Sequence, residues 1–239
     1  MTDFFRFPHT PHLAWLGMSE PRDDKVLSLA EAESFLASPV LLEEKVDGAN
    51  LGFSVGGDGV LRAQNRGQYL SRPFTGQFAR LNDWFAMHEE ALFDALGESL
   101  ILFGEWVAAV HSLEYLDLPD YFLAFDVYDR SERKFWSTAR RDALFTNLGL
   151  NRIREIGSGV YQLSTIKQLL LTTTSTYRHG ACEGVYLRQE NDDWLIARAK
   201  LVHPDFVQNI EGHWRSRTLR WNVVKPAAVP CHTDNGASF

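Results

Sequence analysis

A lysine that ends a short β-prone run and is followed at once by a turn can act as a fixed nucleophile, and Glu43-Glu44-Lys45-Val46-Asp47-Gly48-Ala49-Asn50 has that form. An amine attacks only when unprotonated, so this chemistry needs nearby cations or loss of solvent to lower its pKa. The same residues also suit an exposed charge beside a hairpin turn, so the segment is weighed with four others. Phe103-Gly104-Glu105-Trp106 sets a carboxylate at the end of an apolar run; Phe125-Asp126 lies within an aromatic one; Glu183-Gly184-Val185-Tyr186 opens a third; and Arg198-Ala199-Lys200 places two cations on alternate positions. By itself Phe125 reads as core packing. A carboxylate leaving an apolar run, such as Glu105 or Glu183, is costly unless a partner meets it, and an arginine would serve. Other chemistries find no residues. His9, His12, His179 and His203 do not form a metal-ligand spacing with the cysteines, Val55-Gly56-Gly57-Asp58-Gly59-Val60 lacks the ending of a phosphate loop, and no Ser-His-Asp set is singled out.

These patches need a scaffold, and the pattern predicts an α+β fold of antiparallel sheets with packed helices. After an extended N-terminal arm within residues 1–40, Ser28 and Glu31 form a capping box that opens a helix through Leu36, with Pro39 closing it. Strands are expected at 41–46, 49–55 and 60–66, separated by Asp47-Gly48 and by the glycine turn at 56–59. Phe78, Leu81, Trp84, Phe85, Ala91, Leu92 and Ala95 recur at helical spacing over Gln77–Leu96. Apolar strands are expected at 99–107 and 120–129, helices at Ser137–Leu148 and Ser164–Leu171, and a final strand pair at 183–189 and 193–202, joined through 190–193.

The 239 residues, 45% apolar and 23% charged, suffice for one large domain. Residues 1–225 are read as that domain and 226–239 as a flexible tail. No apolar run is long enough to span a membrane as a helix, the first ten residues do not resemble a secretory signal, and only Cys182 and Cys231 are present, so a cytoplasmic protein with free thiols and no membrane partner is expected. The net charge of −7 argues against coating nucleic acid through a bulk positive field. A local groove is still open: residues 211–225 gather Arg215, Arg217, Arg220 and Lys225 around Trp214 and Trp221, read either as a surface helix with its tryptophans inward or as a phosphate-contacting segment.

Taken in order, the five patches resemble the motifs of the covalent nucleotidyltransferases, the superfamily of polynucleotide ligases and mRNA capping enzymes, with Arg66 where that family has a further arginine. The resemblance runs from about Leu41 to Val202 and is closest to the RNA ligase 2-like branch; Phe7 to Leu13 with Asp23-Asp24 is also similar to a bacterial RNA ligase group. It implies an ATP-grasp-like adenylation domain in which Lys45 attacks the α-phosphate of ATP, releases pyrophosphate and holds AMP. Lys200 and Arg198 would contact that phosphate, although the family commonly has a second lysine at the latter position and a guanidinium offers a planar fork instead. Glu105 would bind the ribose, Glu183 with Glu105 would hold Mg²⁺ or Mn²⁺, Phe125 would stack on adenine, and backbone groups of Glu44 and Val46 would read its edge. Arg66 would contact the nucleotide, and Asp47, Gly48, Asn50 and Asp126 complete the motifs.

Only 39 residues follow Lys200, too few for the OB-fold of DNA ligases and capping enzymes, so the expectation is an ATP-dependent RNA ligase acting on 5′-phosphate and 3′-hydroxyl ends, in a nicked duplex or an RNA/DNA hybrid, with an end-processing protein as a further partner. Two other readings stand beside it: a degenerate module that binds RNA ends without chemistry, and an enzyme that adenylates an acceptor other than nucleic acid.

Overall fold

The computed structural model describes residues 4–17, 25–207 and 218–225. The chain starts one antiparallel sheet with β1 (Val40–Lys45), leaves it to build a second with β2 (Ala49–Val55), β3 (Leu61–Asn65), β4 (Leu100–Trp106), β5 (Phe122–Asp129) and β6 (Lys134–Phe135), then returns for β7 (Glu155–Gly159), β8 (Gly184–Glu190) and β9 (Leu195–Val202). The first sheet has the order β7-β1-β8-β9 and the second β3-β2-β4-β5-β6. With the helices α1 (Leu29–Leu36), α2 (Leu81–Leu96), α3 (Thr138–Asn147), α4 (Leu163–Thr172) and the short α5 (Pro204–Val207), this is the expected α+β class, and neither sheet closes into a barrel among the described residues.

Local chemistry sets the helix ends. Ser28 Oγ accepts the Glu31 N–H while the Glu31 carboxylate accepts the Ser28 N–H at 2.8 Å, so the capping box forms as its spacing implies. Ser137 caps α3 by accepting the Arg140 N–H. The helix expected from Gln77 is divided: a single 3-10 turn covers Gly76–Phe78 and α2 begins at Leu81, because Asn82 turns its side chain back onto Phe74, accepting its N–H and donating to its carbonyl.

Each sheet buries one face under helices. Leu42, Val185, Leu187, Ala199 and Leu201 of the first pack on α1 and α4, and Phe53, Leu102, Trp106, Phe122 and Val127 of the second pack on α2. Each large side chain among them contributes about 1.5–3 kcal/mol. The opposite faces, rich in charge, turn toward one another and form a cleft. The turn from Lys45 to Ala49 is where the chain leaves one sheet for the other, so the candidate lysine stands at the seam.

Three features escaped the sequence pattern. β7 reads Glu-Ile-Gly-Ser-Gly, with no apolar alternation, and forms only by pairing along β1. β6 is two residues long. The third is a slip in the β4–β5 ladder: Phe103 faces Asp126 but Gly104 faces Ala124, leaving Phe125 as the extra residue of a bulge.

The described part of the basic segment, residues 218–225, is extended rather than helical and lies along the loop after β4. Asn222 donates to the Val107 and Ala109 carbonyls and accepts the Tyr115 N–H, while Arg220 pairs with Glu114 and Lys225 with Asp117 at 3.6 Å. Trp214, Arg215 and Arg217, like Asp23-Asp24, Cys231 and the tail 226–239, lie outside the described residues.

Candidate active site

A cleft enclosing about 460 Å³ of space, open solvent included, lies between the sheets, with Phe125 and Asp126 on one wall and Tyr186, Arg188 and Arg198 on the other. Val46, buried, lines it as well. Lys45 ends β1 at its rim, and its ammonium donates to both oxygens of Glu183, at 2.6 and 2.7 Å. Burial opposes the charge on Lys45, but Glu183, then Tyr186, Glu105 and Asp47 outweigh it, and the amine is held protonated well above its ordinary range. The poised, neutral nucleophile expected from the sequence is therefore not the state of the free protein. The ion pair would have to open before the amine could attack.

Glu105 lies close to Lys45 and Arg66, and accepts the Gly48 N–H at 3.1 Å. Burial, with Glu183 and Asp47, pushes its carboxyl up to about 8 despite those cations. Gly48 can be only glycine: a Cβ there would stand 2.6 Å from the Trp106 carbonyl oxygen. Asn50, opposite Glu105 across the β2–β4 ladder, has a buried Oδ1 with no hydrogen-bond partner in the protein. Lys200 stands directly opposite Tyr186 on the cleft face and is near enough to Glu183 to favour its charge.

Other expected positions do different work. Asp47 accepts the Ser112 and Leu113 N–H groups at 2.7 and 3.1 Å and so anchors the loop after β4. The Glu44 N–H, one of the Glu44 and Val46 backbone groups expected at the adenine edge, donates to the Arg154 carbonyl at 2.9 Å. Its buried carboxylate faces the Thr176 N–H and Arg154, and burial raises its pKa. Asp126 bridges Arg188 at 2.5 Å and Arg198 at 2.6 Å, two cations that sit opposite one another on β8 and β9. Burial opposes its charge, yet these arginines and Arg141 hold the carboxyl below its ordinary value.

Arg198 also lies over Phe135 at 4.1 Å and Phe7 at 4.9 Å, so its guanidinium is committed to the cavity wall in this state. Phe125 lines the cavity with its ring edge-to-face to Phe7 at 5.4 Å, while Phe122 points into the core under α2. Sequence reasoning missed Phe7, Glu43, Arg141 and Arg188. Arg141 of α3, 1% exposed, donates to Glu43 and to the Phe125 carbonyl. A buried arginine on a helix has no local signature.

Two or more carboxylates crowded with one unsatisfied amide suit a divalent cation. Among the described residues no group of three or more His, Cys, Asp or Glu is arranged to hold a metal. A cation at Glu183 and Glu105 would thus fill its shell with water and substrate oxygens, as Mg²⁺ commonly does.

The two-sheet α+β architecture is shared by solved structures. The chain belongs to the RNA ligase family, whose model matches residues 38–202, more than half its length. It is similar to three mutant structures of Naegleria gruberi RNA ligase. One holds ATP and Mn (TM-score 0.63, 13% identity, 87% of this chain and 59% of that one), a second also holds ATP and Mn (0.56, 14%, 74% and 53%), and a third holds AMP and Mn (0.57, 14%, 74% and 53%). At that identity the likeness is one of fold, and the chain spans between half and two thirds of the length of these proteins. No curated protein sequence matches the chain. No described helix is long and apolar enough to cross a membrane.

Proposed function

We propose that this chain is an ATP-dependent RNA ligase that works through a lysyl-AMP intermediate, as one nucleotidyltransferase unit over residues 1–225. The observation that carries the reading is Lys45 at the rim of the cleft, paired with Glu183 and flanked by Glu105, Arg66 and Lys200. Lys45, once it has lost a proton, bonds to the α-phosphorus as the bond to pyrophosphate breaks. Lys200 and Arg66 offset the charge that develops on the phosphate oxygens. Phe125 stacks on the base, and Glu105 and Asn50 meet the ribose. Glu183 and Glu105 would hold a divalent cation, which would supply positive charge that neutralises phosphate and disfavours the ammonium of Lys45. The 5′-phosphate of an RNA end then takes AMP from Lys45, and a 3′-hydroxyl displaces AMP to join the strands. The Naegleria structures with ATP, AMP and Mn support the choice of nucleotide and metal.

The test is incubation of the chain with α-labelled ATP and Mg²⁺ or Mn²⁺, followed by a chase with 5′-phosphorylated RNA. Covalent label that survives denaturation and alkali but is released by acid, as a phosphoramidate is, is expected on the wild type and none on Lys45→Ala or Lys45→Arg, since a permanently charged guanidinium cannot be the nucleophile. An unlabelled wild type would identify a binding module; label that RNA cannot discharge would identify a different acceptor.

A further inference from the structure

β9 carries Lys200 and would be the outer strand of its sheet, held from one side only. The N-terminal arm closes that edge. The Lys200 N–H donates to the Pro11 carbonyl at 2.9 Å, and its carbonyl accepts the Leu13 N–H at 2.7 Å. His12 pairs with Lys200 in parallel register, and residues paired across a sheet project to the same side, so His12 shares the cleft face with Lys200 while Leu13 packs into the core behind. The same arm is anchored to the second sheet, where Gln64 Nε2 donates to the Phe5 carbonyl at 2.8 Å and the Phe5 ring stacks on Tyr128 at 3.8 Å. Between these anchors Phe7 enters the cavity. It is 4% exposed, with its ring 5.0 Å from that of Phe103 and 5.4 Å from that of Phe125, and with the Arg198 guanidinium above it.

We infer that residues 5–13 are a working part of the active site, a strap whose two ends act separately. Phe7 is a specificity-determining residue that shapes the base end of the cavity and fixes the ring of Phe125 and the guanidinium of Arg198. His12 is a positioning residue that, with the Pro11 and Leu13 backbone, fixes Lys200 at the phosphate end. This rests on the nucleotidyl-transfer reading. Contacts to the base are the same before and during phosphoryl transfer, so a defect at Phe7 raises KM. A defect in placing Lys200 is felt as charge develops and lowers kcat.

The experiment is single-turnover labelling of Lys45 over a range of ATP concentrations, with melting temperature measured alongside, on full-length Phe7→Leu and His12→Ala; Phe7→Met and His12→Asn stand in for any variant that fails to fold. Expected are a roughly five- to twentyfold rise in KM with kcat within about twofold for Phe7→Leu, and at least a roughly tenfold fall in kcat with KM within about twofold for His12→Ala. Proportional loss of both constants that follows the melting temperature, or no change in either, would overturn the strap as part of the site. If the wild type takes no label, the functional reading fails by itself. Equilibrium binding of ATP then judges the base end: weaker binding by Phe7→Leu supports it, and unaltered affinity rejects it.

Discussion

Lys45 and Glu183 form a buried ion pair, although burial raises the Glu183 carboxyl above its ordinary pKa despite Lys45, and Glu105 registers the same electrostatic strain of the cleft. Its folded pKa of about 8 lies above the ordinary 4.5, so between those values the folded chain keeps a proton that the unfolded chain has lost. The stability contributed by this group is therefore complete below about pH 4.5 and lost as pH rises through 8. Glu105→Gln removes the titration. It is expected to melt higher than the wild type at about pH 8.5, with the gap narrowing toward about pH 5.5. A gap that does not vary with pH would show that Glu105 is not the group responsible. The result bears on the proposed divalent cation too, because a cation would relieve the repulsion among these carboxylates.

Among the elements, β5 depends most on a local irregularity. Strict alternation would send Asp126 to the same side as Phe122 and Ala124, into the apolar core under α2. The bulge at Phe125 instead gives both Phe125 and Asp126 to the cavity, and returns Val127 to the core. Its neighbour Gly104 tolerates no side chain, since a Cβ there would stand 2.3 Å from the Phe122 ring. Asp126 then satisfies two arginines that would otherwise repel one another across β8 and β9. Asp126→Asn leaves those buried cations without their counter-charge and is expected to cost about 3–5 kcal/mol in a urea titration. A loss under about 1 kcal/mol would mean that Glu43 and Glu190 already neutralise Arg188.

On the scale of the whole molecule, distant segments complete the cleft from outside. The arm closes β9, and residues 218–225 clasp the loop that Asp47 anchors from within. Asn222, 1% exposed, joins three backbone groups of that loop. Asn222→Ala would orphan the Tyr115 N–H and two carbonyls, at about 1–3 kcal/mol for each group left unpaired. Its melting temperature is expected to fall well below that of a surface change such as Glu114→Ala. Equal melting temperatures would show that water replaces the amide.

The motif residues were legible because each combines an unusual type with an adjacent break in pattern: Lys45 before Asp47-Gly48, Glu105 at the end of an apolar run, and the alternating pair Arg198 and Lys200. Capping and periodicity likewise exposed the main helices and strands, since these depend on neighbours a few residues away. Long-range pairing was not legible. Nothing near Glu183 in the chain announces that it will hold Lys45, nothing in α3 marks Arg141 for Glu43, and the basic composition of 211–225 suggested phosphates where Arg220 and Lys225 meet acids of a neighbouring loop. Residue types and spacing determined which groups this chain can bring to its cleft. Whether an ammonium is shielded, a guanidinium committed or a carboxyl protonated was decided only when strands far apart in sequence were packed face to face, because those states depend on charge and solvent within a few ångströms rather than on order along the chain.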